Sequence, residues 1–361
     1  MSNKARFTHI DLLESIAIYF VIIYHSVLYY FDFLANDSAI NYFSYLFNTI
    51  LSTCVPLFFF ANGYLLFNRS FDLKKHIHRM VRIIILVGVW AAILMPIYLL
   101  IAGEPLSLKT NHSNILYMNT DWKMNYSWFM GALICIYILF PALKALFDSN
   151  KKAFVFFTVA CAILTFGYEL VNELLAFAGT VLRHPLGEFN YPFTNMFNPF
   201  RGAYGYSFVY FCVGGLIFSY ENKILTIPKI KRNCISALGI ATSCTMLFLV
   251  GVFYSKYVNH EIWDVVWNGY DTIFTFLNVF FIYILSLSYK KEFSLITKIS
   301  CNTMGIYYIH GLVVSLTRPL VRQIEGFYNI PSALIYAAVI LLVCLFVCQV
   351  FKKIPFLKEL I

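Results

Sequence analysis

The segment 332–351, SALIYAAVILLVCLFVCQVF, runs from end to end without a charged residue. A helix of about 20 such residues spans the hydrocarbon core of a bilayer. Comparable apolar segments recur at roughly 9–30, 43–67, 81–102, 126–147, 153–178, 204–220, 234–254, 268–289 and 295–317. Hydrocarbon offers no partner to an unpaired backbone amide, so segments of this kind must be helical where they cross it. The expected fold class is therefore all-α: one polytopic membrane bundle of about ten transmembrane helices, a single domain over residues 1–361. Composition agrees. With 60% of residues hydrophobic, 12% charged and a mean hydropathy of +0.72, a soluble domain could not cover its apolar surface. The first segment is too long for a cleaved leader and lacks a small-residue cleavage site, so it is expected to stay as a span.

The connections orient the bundle. Basic stretches at Asn68–Arg82, DSNKK, ENKILTIPKIKRN and KKE alternate with less basic ones. Placing these stretches and both termini inside puts most of the 27 Lys and Arg residues in the cytoplasm, which predicts an N-in, C-in topology. The net charge of +9 is then largely topological, with anionic membrane lipids as its partner and no nucleic acid implied. Two long outer connections, 103–125 and 179–203, are rich in aromatics, and the second suits a loop over an outward cavity that contacts glycan. The nine cysteines lie in or beside apolar segments without metal-ligand spacing, so neither a disulfide framework nor a metal site is expected. KKHIHR, with His76 and His78, reads as a lipid-facing basic loop rather than a metal tract.

The first span carries the chemistry-bearing residues. At about 100° per residue, His25 lies about 20° from Glu14 and about 40° from Asp11, so all three share one stripe of the helix. Ionisable groups at that depth face a protein interior or a watery cavity and mark function by default. By helical rise, His25 is about 16 Å from Glu14 and about 21 Å from Asp11, which excludes a direct Asp11–His25 charge relay. Neutral imidazole, with an ordinary pKa near 6.5, suits a general base, and His25 is the first candidate. Asp11 reads either as a helix-start carboxylate or as the partner of a basic residue at the inner mouth. Glu14 reads as one half of a buried ion pair, with Arg79 or Arg82 as its partner. Interfacial anchoring is the default for Trp128 at the start of its span.

These residues sit in motifs that resemble the integral-membrane acyltransferase-3 family, whose members O-acylate surface sugars and related acceptors. The first span has Asp11, Leu12, Ala17 and then YHS with His25. The second reads VPLFFFANGYLL, with Pro56, Phe58, Phe59 and Gly63. Arg79 and Arg82 stand at the start of the third span, WFMGALICIYILFP supplies Trp128, Phe129, Tyr137 and Pro141, and FVYFCVGGLIF follows in the sixth. ISCNTMGIYYIHGLVV carries Tyr307 and His310. The order of motifs is retained along nearly the whole chain. One position departs: many relatives have Arg or Lys where this chain has Glu14.

The resemblance implies transfer of an acyl group, acetyl first and succinyl next, from acyl-CoA to a hydroxyl of a surface glycan or its lipid-linked precursor. No cofactor is bound permanently, since acetyl-CoA or another acyl-CoA is a substrate. In that scheme His25 is the base or a transient acyl carrier, assisted by Asp11, Glu14 and His310. Arg79 and Arg82 would hold donor phosphates, while Trp128 and Tyr307 would contact substrate. The setting would be the multi-pass protein of a bacterial cytoplasmic membrane, with a homo-oligomer compatible with the sequence. A rival from another class is a transporter or flippase of a lipid-linked sugar. No inverted repeat or broken pair of helices is evident in the sequence, which weighs against that rival.

Overall fold

The computed structural model describes residues 6–103, 128–184, 186–187, 205–355 and 357–360, and among these every regular element is helical. The expected connections 103–125 and 179–203 fall mostly outside the described residues. Helix α1 is Thr8–Ser26, followed by α2 (Ala39–Leu51), α3 (Cys54–Phe67), α4 (Leu73–Ala102) and α5 (Trp128–Ser149). Helices α6 (Lys151–Ala162) and α7 (Tyr168–Leu182) run on through a π turn at Ile163–Gly167. Then come α8 (Gly205–Ile217), α9 (Glu221–Leu225), α10 (Lys229–Phe253), α11 (Ile273–Ser286), α12 (Ser294–Ser300), α13 (Thr303–Val321) and α14 (Ile330–Phe351). Six of these helical stretches are long and apolar enough to cross a membrane: 39–67, 73–101, 128–149, 151–182, 229–258 and 330–351. Helix α11 is apolar but shorter.

Local chemistry accounts for several boundaries. Asp72 caps α4 by accepting from the Lys75 amide at 3.1 Å, and Gly103 ends that helix with a left-handed φ of 70°. Asn329 caps α14 by accepting from the Ser332 amide, with Pro in its first turn. Helix α1 ends differently. Val27 takes φ 44°, a conformation disfavoured for a β-branched residue, directly after the turn that carries His25.

The centre of the bundle is made by α1, α3 and α8. The α2–α3 stretch is 83% buried, whereas α6–α7 is 22% buried and lies at the periphery. Glycines permit the central approach. A Cβ at Gly63 would lie 1.8 Å from the Phe211 carbonyl oxygen, and one at Gly214 would lie 2.0 Å from that of Phe60. Two helix backbones thus meet across a reciprocal pair of glycines, the small-residue contact by which helices pack where lipid supplies no hydrophobic drive.

Long-range contacts define two ends. Arg6 reaches Thr297, Ser300 and Cys301, Thr8 donates to the Tyr289 carbonyl, and Arg232 donates to Ser288, which gathers the basic connections at one end. Opposite it, Tyr328 donates to the Val27 carbonyl, Tyr24 to Asp264 and Tyr45 to the Trp263 carbonyl. We refer to these as the basic end and the far end.

Two features differ from expectation. The second and ninth segments are broken helices, interrupted at Ser52–Thr53 and at Cys301–Asn302. Ser52 and Thr53 turn their hydroxyls back onto the carbonyls of Thr49 and Ile50, offering the backbone an alternative to the helical ladder. The KKHIHR stretch is the first part of α4 rather than a loop, and its histidines diverge. His78 is exposed, but His76 is buried, with Nε2 2.8 Å from the Tyr137 carbonyl and its ring against Phe140.

Candidate active site

Three cavities lie along α1, two of them at its far half and one nearer the basic end. The largest, about 700 Å³, opens at the far end and is lined by Tyr24, His25, Trp128, Asp264, Trp267 and Tyr270 among others. A volume of that order accommodates a small-molecule ligand. A second, about 350 Å³, lies toward the basic end and includes Glu14, Asn62, Arg79, Arg82, Tyr137 and Thr303 in its wall. Phe129 and Tyr307 line both of these, with ring centroids 5.3 Å apart. The third cavity, about 310 Å³, opens between α4 and α13 and also touches His25.

His25 sits in the last turn of α1, where the helix delivers it to the floor of the far cavity. Its ring lies 5.4 Å from that of His310, centroid to centroid, at an interplanar angle of 46°. His310 is buried, and its Nδ1 lies 2.5 Å from the Tyr307 carbonyl oxygen. A carbonyl can only accept, so Nδ1 carries the proton and the tautomer is set by the backbone of α13. Sequence spacing put Tyr307 and His310 on one turn. Only the packing of α1 on α13 brings that turn to His25.

The loop Trp263–Tyr270 walls the far cavity, and no motif in the sequence pointed to it. It is held at four points. The Trp263 amide donates to Ser255 Oγ at 2.9 Å and its carbonyl accepts from Tyr45 at 2.7 Å. Asp264 accepts from the Val266 and Trp267 amides and, through its other oxygen, from Tyr24 at 2.6 Å. Tyr210 donates to the Tyr270 carbonyl at 3.1 Å. An Asp two residues before an amide it accepts from is a turn signal that a reading by hydropathy passes over. Trp128 is buried against Trp267 and Tyr270, at 5.3 and 6.1 Å between centroids, so it belongs to the cavity wall rather than to an interfacial belt.

At the basic end the carboxylates of the α1 stripe are engaged by α12. Asp11 pairs with Arg6 and accepts from Ser300 Oγ at 3.0 Å, while Glu14 accepts from the same hydroxyl at 2.5 Å. One serine proton therefore serves two carboxyl groups. The expected ion pair from Glu14 to Arg79 or Arg82 is absent among the described residues; the three share a cavity wall without meeting. Glu14 is engaged instead by Ser300, the last residue of α12. Arg82 instead approaches Glu359, with its Nη2 3.3 Å from the carbonyl oxygen. Helix α13 begins at this cavity, with Thr303 and Met304 in the wall, so its N-terminal amides add positive potential beside the two arginines.

The sequence from residue 7 to residue 350 matches a family model described as an acyltransferase domain. The chain belongs to acyltransferase family 3. No curated protein and no solved structure matches it. Within this acyltransferase the family-like motifs acquire structural roles. The glycines of the second and sixth spans form the α3–α8 crossing, and Phe129 and Tyr307 of the fourth and ninth spans meet between two cavities. Asp11, Glu14 and His25 stay on one stripe of α1, but that stripe serves both ends of the protein: Glu14 lines the basic-end cavity and His25 the far one.

Proposed function

We propose that this membrane acyltransferase moves an acetyl group from acetyl-CoA to a hydroxyl of a cell-surface glycan or its lipid-linked precursor. It would do so as a ten-span, N-in, C-in protein of a bacterial cytoplasmic membrane. The basic end is then cytoplasmic, and Arg79, Arg82 and the start of α13 receive the phosphates of the acyl-CoA. The thioester extends past the Phe129–Tyr307 contact toward His25. The observation that carries this reading is that the basic-end cavity and the cavity holding His25 share these two residues as a common wall.

The chemistry follows from the imidazole. His25 takes the proton of an acceptor hydroxyl as its oxygen attacks the thioester carbonyl. The tetrahedral centre then collapses, the carbon–sulfur bond breaks, and the proton passes to the departing thiolate. The products are the ester and free CoA thiol. His310 positions His25 through their ring contact, and Asp11 and Glu14 order the inner mouth through Ser300. Trp128 and Tyr307 contact substrate from the cavity walls. An acyl-imidazole on His25 is the covalent variant of the same scheme. Succinyl is the next candidate for the group moved.

A transport reading draws on one observation, the broken helices at Ser52–Thr53 and Cys301–Asn302, since interrupted spans are a feature of transporters. The family match weighs against it. The deciding experiment compares surface glycans, by mass and NMR, from cells with the wild-type protein, with His25→Ala and with none. An acyl mass seen only with wild type, at equal expression, supports the proposal. Survival of that mass in His25→Ala overturns the role of His25, and identical glycans in all three strains favour transport.

A further inference from the structure

The far cavity and the side cavity share two residues, His25 and Arg318. The side cavity lies between α4, through Tyr98 and Ile101, and α13, through Gly311, Val314, Ser315 and Arg318. The two helices touch nearer the basic end, where Trp90 and Tyr308 stack at 5.2 Å and 7°, and the cavity opens beyond that contact. Its surroundings are apolar and exposed: Leu100 (63%), Leu316 (52%) and Leu320 (66%) project from the same stretches of α4 and α13. Leucines exposed on both sides of the opening make a surface suited to lipid chains rather than to water.

Arg318 stands where that opening meets the far cavity. It is half-buried, and its guanidinium makes no hydrogen bond or ion pair among the described residues. The carboxylates lining the far cavity are otherwise engaged. Asp264 accepts from Tyr24 and two amides, and Asp32 accepts from the amides of Leu34 and Ala35. A half-buried guanidinium gains little from its apolar neighbours and calls for an anion or water. A guanidinium is suited to grip a phosphate through two parallel hydrogen bonds. Tyr307, Gly311, Val314 and Arg318 follow one face of α13 at helical spacing, so the cation lies on the same stripe as the residue that meets Phe129.

We infer that Arg318 binds the phosphate of an amphiphilic acceptor, a saccharide carried on a lipid phosphate, which arrives sideways between α4 and α13. Its lipid chain stays in the membrane along Ile101 and Val314, and its sugar reaches His25 in the far cavity. This inference rests on the acyl-transfer reading of the same site. It chooses the lipid-linked precursor over the finished glycan, because a polymer already released from lipid has no use for an apolar lateral opening with a phosphate-binding residue at its inner edge.

The test uses the purified full-length protein in lipid nanodiscs, with undecaprenyl phosphate as the probe. Undecaprenol, glucose 1-phosphate and phosphatidylglycerol serve as competitors. Undecaprenyl phosphate is expected to bind at least about tenfold more weakly to Arg318→Gln, in line with loss of a charge-assisted contact, and Arg318→Lys should recover part of the loss. Val314→Trp, which fills the side cavity without altering charge, should weaken the same probe while sparing glucose 1-phosphate. Undecaprenol binding as tightly as its phosphate would overturn the inference, as would equal competition by phosphatidylglycerol, the mark of an ordinary lipid contact. Glucose 1-phosphate matching the lipid phosphate would make this a soluble-phosphate site and overturn it too.

The two readings are separated in cells. Acyl groups should appear on the lipid-linked saccharide pool with wild type and fall at least about tenfold with Arg318→Gln. If the wild-type protein acylates nothing, the acyl-transfer reading fails whatever the binding result. If it acylates the glycan and Arg318→Gln does so equally, the Arg318 assignment fails alone.

Discussion

The rings of Phe129 and Tyr307 meet at 5.3 Å and 51°, each lining both the basic-end and the far cavity. Their contact stands between the proposed path of the thioester and water at the far end. Phe129→Ala should leave the helices intact but widen that passage. The expected result is a several-fold rise in acyl-CoA hydrolysis without acceptor, relative to transfer, read as free thiol released per ester formed. An unchanged ratio would show that the pair is packing alone.

His25 and His310 should differ in kind. General-base catalysis contributes about 10²–10⁴-fold, so His25→Ala should lower kcat by at least about 10². His310→Phe keeps a planar ring, somewhat larger, but removes the nitrogen that is tethered to the Tyr307 carbonyl. A positioning role predicts a lower kcat, an unchanged KM for acyl-CoA and an altered pH profile for the remaining rate. Purely structural packing would move thermal stability instead.

Arg79 and Arg82 should act on donor binding. Each, replaced by Gln, should raise KM for acyl-CoA by about tenfold at low salt with little effect on kcat, as expected for loss of a charge-assisted phosphate contact. The effect should shrink as ionic strength rises, because both side chains are exposed and their field is screened. Kinetics at two salt concentrations test this directly.

The glycines of α3 and α4 predict opposite outcomes. Gly63→Ala places a Cβ against the Phe211 backbone, which cannot yield as a side chain does, and should cost about 1–3 kcal/mol or block folding. Gly88, in the interior of α4, has open space where an added methyl would stand, with nothing within 4 Å, so Gly88→Ala should be neutral or stabilise by up to about 1 kcal/mol. Thermal unfolding in one detergent compares them.

Much of the site was legible where ionisable residues stand in apolar sequence. Asp11, Glu14 and His25 share one face of such a helix, where ionisable groups are costly, and each lines a cavity or makes a polar contact in the fold. Arg318 carried a comparable signal, an arginine on the Tyr307–Gly311–Val314 face of α13, but it lies just past the expected end of its span and reads there as a flanking charge. The partners of the acidic residues were not legible. Ser300 is one hydroxyl among many, and its contacts come from the packing of α12 on α1. His76 could not be told from His78 by composition, because burial there depends on which face of α4 meets α5.

The order of residues along the chain is enough to dictate its solvent, its secondary structure and the side chains able to do chemistry. Apolar runs of membrane length must be helical, and charges within them are too costly to be incidental. Which of those side chains meet is settled by the packing of the helices alone. Contacts such as His25 with His310, Tyr24 with Asp264 and Glu14 with Ser300 join positions some 240 to 290 residues apart. No local pattern encodes such distances. They follow from how the helices cross, and the crossings depend on the shapes of the packed faces, down to whether a Cβ is present at Gly63 or Gly214.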